Sequence, residues 1–330
     1  MRYKLSLALL LATTACGLVQ DVDAGKPPAA QVSWRSPAYD AAYGAHWYDG
    51  NAELAAYSLV YPRYGELRPD GTAVAITVTE DMRAATRVKA NDQGADTIPV
   101  IKLNLVEDFS TGIYDYNMML SAFVQTRAAL GLPAGSQLKL SFSAQEWCGH
   151  AYQQDLFDAD QVRHSSHSYF EGEADRSEVM PGTAEGLGED VLYLWSRGLA
   201  GPALAPGEQV KDLPLWRSAA VSRLRHIPPA WDKATLSRAA KAEQLTTAAG
   251  TFEVERYEAA VTRAGGAQGD VWTFFVERAA PRRVIVYARA DGLRAELLGS
   301  KRLPYWQLHD RGQEALVREL GLSPRPAKTP

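Results

Sequence analysis

The chain has 330 residues, 46% of them apolar, a formal net charge of −4 and two cysteines. That length and apolar share suffice for one large domain or two smaller ones. The near balance of acidic and basic residues, with no basic run, argues against a nucleic acid partner, and two cysteines exclude a disulfide-stapled scaffold.

The first residues read as an export signal. Arg2 and Lys4 are followed by Leu5 to Ala12, an apolar stretch too short to cross a bilayer. Next comes Thr13-Thr14-Ala15-Cys16-Gly17, which resembles the lipobox of bacterial lipoproteins, where the cysteine is acylated and begins the mature chain. Residues 1–16 therefore read as a lipoprotein signal peptide with Cys16 as the lipid attachment site. Thr13 and Ala15 also suit an ordinary signal peptidase, so a secreted or soluble periplasmic protein is the alternative. Gly17 in place of Asp resembles the sorting signal for the outer membrane. Residues 17–36, with Lys26-Pro27-Pro28, read as a flexible tether. The expected location is the envelope, facing the periplasm, with the membrane a partner through the lipid anchor.

Asp40 to Gly50 then gathers Tyr43, His46, Trp47 and Tyr48, candidates for binding an apolar or sugar ligand or for capping a β core. Arg68-Pro69-Asp70-Gly71 suits a turn. Thr72 to Thr79, with Val74, Ile76 and Val78 on one face, and Ile101 to Leu105 alternate as half-buried strands. A long strand over 112–127 places Tyr114, Tyr116, Met118 and Leu120 on one face, which suits a buried strand or a lipid-lined cavity. Helical spacing is confined to Glu185–Arg197 and Arg311–Leu320, the latter stopped by Gly321. Asp291-Gly292 marks a hairpin between Val284–Tyr287 and Leu293–Leu298. The predicted fold is mainly β: long antiparallel meandering strands in one or two curved sheets or a partly open barrel, with one or two short helices. The Pro- and Gly-rich stretch at 200–214 divides the chain into lobes 37–200 and 215–330, or lies within one continuous domain.

Cys148 carries the chemical question. With Cys16 acylated it has no partner in the chain. If Lys139 to Asp155 and Val162 to Ala174 pair as a hairpin about Asp158 and Ala159, then Cys148 faces Tyr169 and His150 faces His167. Such a face permits a thiol nucleophile activated by imidazole, with Cys148, His150 and His167 as catalytic candidates, or a metal held by His150, His164 and His167. The simpler reading is a buried, packing thiol; an intermolecular disulfide is a further use. Glu171, Glu173 and Asp175 alternate as an acidic edge strand or a calcium site. No phosphate loop, zinc-protease or hydrolase signature occurs, and no cofactor is expected.

Three stretches, Thr111 to Met119, Gln145 to His150 and Leu298 to Trp306, resemble a family of uncharacterised bacterial envelope lipoproteins often labelled "septum formation inhibitor Maf". The true Maf nucleotide pyrophosphatases carry a Ser-Pro-Arg-Arg signature; Arg35-Ser36-Pro37-Ala38 lacks its basic pair. Residues 250–298 also resemble an uncharacterised domain family of exported β-rich proteins. The resemblance implies an envelope location and a β-rich fold, without an activity. The leading expectation is non-catalytic binding of a hydrophobic ligand or an envelope protein partner, with Trp147 beside the Tyr43–Tyr48 cluster as a binding candidate. A cysteine- and histidine-dependent hydrolase or transferase, or a metal-binding protein, is the alternative.

Overall fold

The computed structural model describes Pro27 and residues 34–324. The predicted signal peptide, Cys16 and most of the tether lie outside the described residues. The described end of the tether is docked: the Trp34 indole donates to the Ala134 carbonyl at 3.0 Å and its ring lies over Gly201.

Sixteen strands follow the short helix α1 (Ala41–Trp47). In the first half they are β1 (Ala52–Arg63), β2 (Glu66–Arg83), β3 (Thr97–Thr111), β4 (Tyr114–Gln125), β5 (Gln137–Glu146), β6 (Gly149–Phe157), β7 (Gln161–Ser168) and β8 (Arg176–Pro181). After β9 (Leu187–Gly188) and helix α2 (Leu192–Ser196) come β10 (Gln209–Trp216), helix α3 (Ala219–Arg225) and β11 (Trp231–Arg238). The rest are β12 (Glu243–Thr247), β13 (Gly250–Thr262), β14 (Gln268–Glu277), β15 (Val284–Arg289) and β16 (Arg294–Leu303). The expected β-rich architecture is present as one curved sheet that does not close. Its order is β8 back to β1, then β16, β15, β14, β13, β11, β10 and β9, with β12 beside β13. The pairing of β1 with β16 joins residues 37–200 to 215–330.

Local chemistry sets these hairpins. Tyr64 and Gly65, with φ of 56° and 75°, make the two-residue turn between β1 and β2, the doubly positive geometry that matches strand twist. The turn expected at Arg68–Gly71 lies inside β2 instead. Leu59 pairs with Gly71 and Tyr61 with Arg68, so Pro69 and Asp70 form a bulge opposite Val60, where a residue without an N–H does no harm. The strand expected over Lys139–Asp155 also breaks: Trp147-Cys148 is the turn between β5 and β6.

The concave face is filled from within. After β9 the chain turns inward, and every residue from Leu187 to Arg197 is buried. Val191 to Trp195 are apolar on all sides, as a helix enclosed by protein requires. The Tyr193 hydroxyl meets that of Tyr57 on β1 at 2.7 Å, and the Trp195 indole donates to the Pro202 carbonyl. The buried Gln137 side chain on β5 accepts from Gly188 N–H and donates to the Gly186 carbonyl, both at 3.3 Å, taking the place of a neighbouring strand. At the exit, Arg197 is fully buried against Glu53 at 2.7 Å.

A smaller apolar cluster lies on the outer face. Leu54, Ala56 and Val78 pack under Leu320 of the C-terminal 3-10 turn, Gln313–Leu320. Val74 and Ile76 join this outer cluster, while their neighbours Ala73 and Ala75 face the main core. Gly299 permits the approach, since a Cβ there would stand 2.9 Å from the Leu320 backbone.

Deleting the Trp195 ring is expected to cost about 3–5 kcal/mol, the usual range for a fully enclosed aromatic. Urea denaturation of Trp195→Ala, followed by far-ultraviolet circular dichroism, should show one transition at lower urea, because both halves pack on this segment.

Candidate functional site

The cysteine–histidine face does not form in the expected register. β6 and β7 pair so that Tyr152 faces His167, two residues out of the expected register, and the Tyr169 N–H donates to the His150 carbonyl. Cys148 sits in the β5–β6 turn and is exposed, not buried. A carboxylate neighbour disfavours a thiolate, and hydrogen bonding to Glu146 raises the Cys148 thiol pKa. His150 is exposed, and His167 is paired with Asp175 at 2.8 Å in the surface. His164 is buried and spent on Asp155 at 2.7 Å, whose other oxygen accepts from the Trp216 indole on β10. No cluster of three metal-ligating side chains occurs among the described residues. Glu171, Glu173 and Asp175 lie in the loop after β7, not on a strand.

The aromatic cluster near the start is a cap. Tyr43, His46 and Trp47 lie on α1, with Tyr48 just after it. The Trp47 ring is buried between the guanidinium groups of Arg197 and Arg302, 5.3 and 5.2 Å from its centre. Tyr43 packs against the core, His46 contacts Arg302, and Tyr48 is exposed. Trp147 is 72% exposed at its hairpin tip, 6.4 Å from Tyr114.

The cavity lies elsewhere, between the two halves of the sheet. Its volume is about 60 Å³, room for a short apolar group and below the several hundred Å³ of a site that encloses a whole small molecule. Strands β3 and β4 give it Leu105, Met118 and Leu120; β14 gives Trp272 and Phe274; Leu192 and Ala220 close it from α2 and α3. Met118 and Leu120 are the face of β4 that the sequence marks as suited to a cavity. Leu105, Leu120, Ala220 and Trp272 keep partial accessibility although they belong to the interior.

Into this apolar wall the fold sets acidic groups that sequence reasoning missed. Glu189 is saturated: Arg263 donates at 2.8 Å, the Trp272 indole at 2.9 Å and Ser218 N–H at 3.2 Å. Asp190 accepts from Ala219 N–H at 3.0 Å, and burial raises its pKa to about 7. Glu107 on β3 accepts from the Tyr287 hydroxyl at 2.9 Å. Desolvation raises its pKa too, against the opposing pull of that hydrogen bond and of Arg289. Arg289 itself is held by Asp291, at 2.9 and 2.8 Å. The signal available in the sequence was the acid pair Glu189-Asp190 set flush against five apolar residues, Val191 to Trp195.

No family model, curated protein or solved structure matches this chain.

Such a site can admit a short apolar group, with Glu107 and Asp190 held towards their protonated forms at its wall. Two measurements follow from the assignments. Cys148 should react with a water-soluble disulfide reagent without denaturant, at rates that climb only in the alkaline range, and Glu146→Gln should speed the reaction near pH 8. For Asp190, the folded value of about 7 stands above the unfolded 3.8. The stability tied to its protonation is therefore complete below pH 3.8 and lost as pH rises to about 7. Asp190→Asn removes that loss and should gain on the parent by roughly 4 kcal/mol between acid and pH 8, read by denaturation across pH.

Proposed function

We propose that this protein is an exported, lipid-anchored binding protein whose interior cavity admits an apolar portion of a hydrophobic ligand. The observation that carries the reading is the cavity, apolar on most of its wall and enclosed by both halves of one sheet. An interior that simply filled itself would pack to crystal-like density; here aliphatic and aromatic side chains of β3, β4, β14 and α3 leave about 60 Å³ open at the mouth of the core. The exposed turn position of Cys148 and its raised thiol pKa give thiol catalysis no such support. The predicted export signal and the resemblance to envelope lipoproteins support placement at the membrane facing the periplasm, where a lipid anchor would keep the domain near its source of apolar ligands.

The test is uptake of the uncharged fluorophore N-phenyl-1-naphthylamine by the domain lacking its signal peptide. The expected result is saturable binding with a blue-shifted emission, lost in Leu120→Trp and separately in Ala220→Phe, each of which fills the cavity while melting at or above the parent temperature. Unsaturable uptake, or uptake unchanged in both variants, removes the cavity as the binding site.

A further inference from the structure

We infer that the hairpin tips at one end of the sheet form a docking surface for a neutral phospholipid bilayer, a membrane contact separate from the predicted lipid anchor. The surface goes beyond the cavity reading and does not depend on it.

Three successive hairpins turn at this end through two residues each: Tyr64-Gly65, Gly112-Ile113 and Trp147-Cys148. Such turns ordinarily carry Gly, Asn, Asp or Ser. These hold no charge, and each presents one large apolar or aromatic side chain. Ile113 is 86% exposed, and Tyr64 and Trp147 also stand in water. Strand spacing sets neighbouring tips about 10 Å apart, and Tyr114 bridges the gap. Its hydroxyl donates to that of Tyr64 at 3.1 Å, and its ring centre lies 6.4 Å from that of Trp147. Exposed Tyr169 continues the row; a Cβ on Gly149 would stand 2.6 Å from its ring.

The other end of the same strands is charged. The link at 84–96 carries Arg87, Lys89, Asp92 and Asp96, and the turn after β6 carries Asp158 and Asp160. Tyr48, Val88 and Leu130 are exposed there too, none of them on a two-residue turn.

Four points on separate hairpins need a partner that conforms to them, which a fluid bilayer does. Tyr and Trp, apolar rings with one polar edge, favour the bilayer–water interface. Charge selects the lipid. Arg63 beside the first tip is spent on Tyr116 and the Leu224 carbonyl, and Glu171 follows Tyr169 closely in the chain. No basic cluster is left to attract anionic headgroups, so the surface fits a neutral bilayer. On the anchored reading, the chain ahead of the domain is long enough. Trp34 is docked on Ala134, at the charged end. The twelve residues of β4 span about 40 Å, and residues 17–33 reach at most about 60 Å. Anchor and tips can therefore meet one bilayer, and the anchor raises the effective concentration of lipid at the tips enough for a weak contact to count.

The experiment uses the chain from Gly17, without lipid, in which Cys148 is the one thiol. A nitrobenzoxadiazole dye on Cys148 is titrated with vesicles of phosphatidylcholine and phosphatidylethanolamine in equal parts. Its emission should brighten and shift to the blue, while the same dye on Asp160→Cys in a Cys148→Ser background, at the opposite end, should not respond. Unlabelled protein should float with these vesicles, with no gain from added phosphatidylglycerol and no loss in salt. Ile113→Ser combined with Trp147→Ser should melt with the parent and float about tenfold more weakly. Leu120→Trp, which fills the cavity, should float as the parent does, so cavity and surface fail separately. No response at Cys148, an equal response at both dye positions, flotation that needs phosphatidylglycerol, or flotation undiminished in the double variant overturns the inference.

Discussion

Two neighbouring carboxyl groups must enter an apolar interior for this sheet to have a core. Glu189 and Asp190 stand at the start of the segment that fills the concave face, and burying either unpaired would cost several kcal/mol. The fold meets this by bringing α3 over them. Ser218 and Ala219, at the head of that helix, give their free N–H groups to Glu189 and Asp190 respectively. Arg263 then ties Glu189 to Asp232 and Asp270, at 2.8, 2.8 and 2.6 Å. Helix starts carry unpaired N–H groups in any case, so one contact resolves two deficits.

From that point the architecture follows. With Glu189 to Ser196 seated in the concavity, β1, β4, β14 and β15 have a surface to bend around. The two edges of the sheet face each other through side chains rather than through a ladder: Trp216 on β10 donates to Asp155 on β6, and Trp231 on β11 donates to the Pro181 carbonyl at the end of β8. What is not filled by Val191 to Trp195 remains as the cavity. Its acidic wall is a by-product of the same entry, since Asp190 and Glu189 are both lining residues and capping residues. Architecture and site therefore share a single piece of chain.

Much of the fold was legible because strand faces repeat every two residues. Ile101 and Leu103 point inward as their parity requires, and Met118 with Leu120 lines the cavity. The hairpin at Asp291-Gly292 and the helical stop at Gly321 follow from local backbone preference. Val74, Ile76 and Val78 show the limit of parity: they do share a face, but it is the outer one, covered by the C-terminal turn. Parity says which residues go together, not which side a distant segment will cover. The cysteine–histidine face failed for a related reason. Trp147-Cys148 became a turn, with Gly149 at φ 159° against the Tyr169 ring, so the hairpin partner of β6 on one side is β5 itself. That Glu107 and Asp190 line one cavity could not be read from the sequence, because they are 83 residues apart and share it only through tertiary packing.

The most direct measurement is native-state hydrogen exchange at the backbone amides of Leu192 to Ser196. If this segment fills the concavity as the piece around which both halves fold, these amides exchange only through global unfolding, with the same urea dependence as β1 and β15. Exchange through a small local opening, while the β1 and β15 amides stay protected, would show that the sheet holds its curvature without the segment and would contradict its central place.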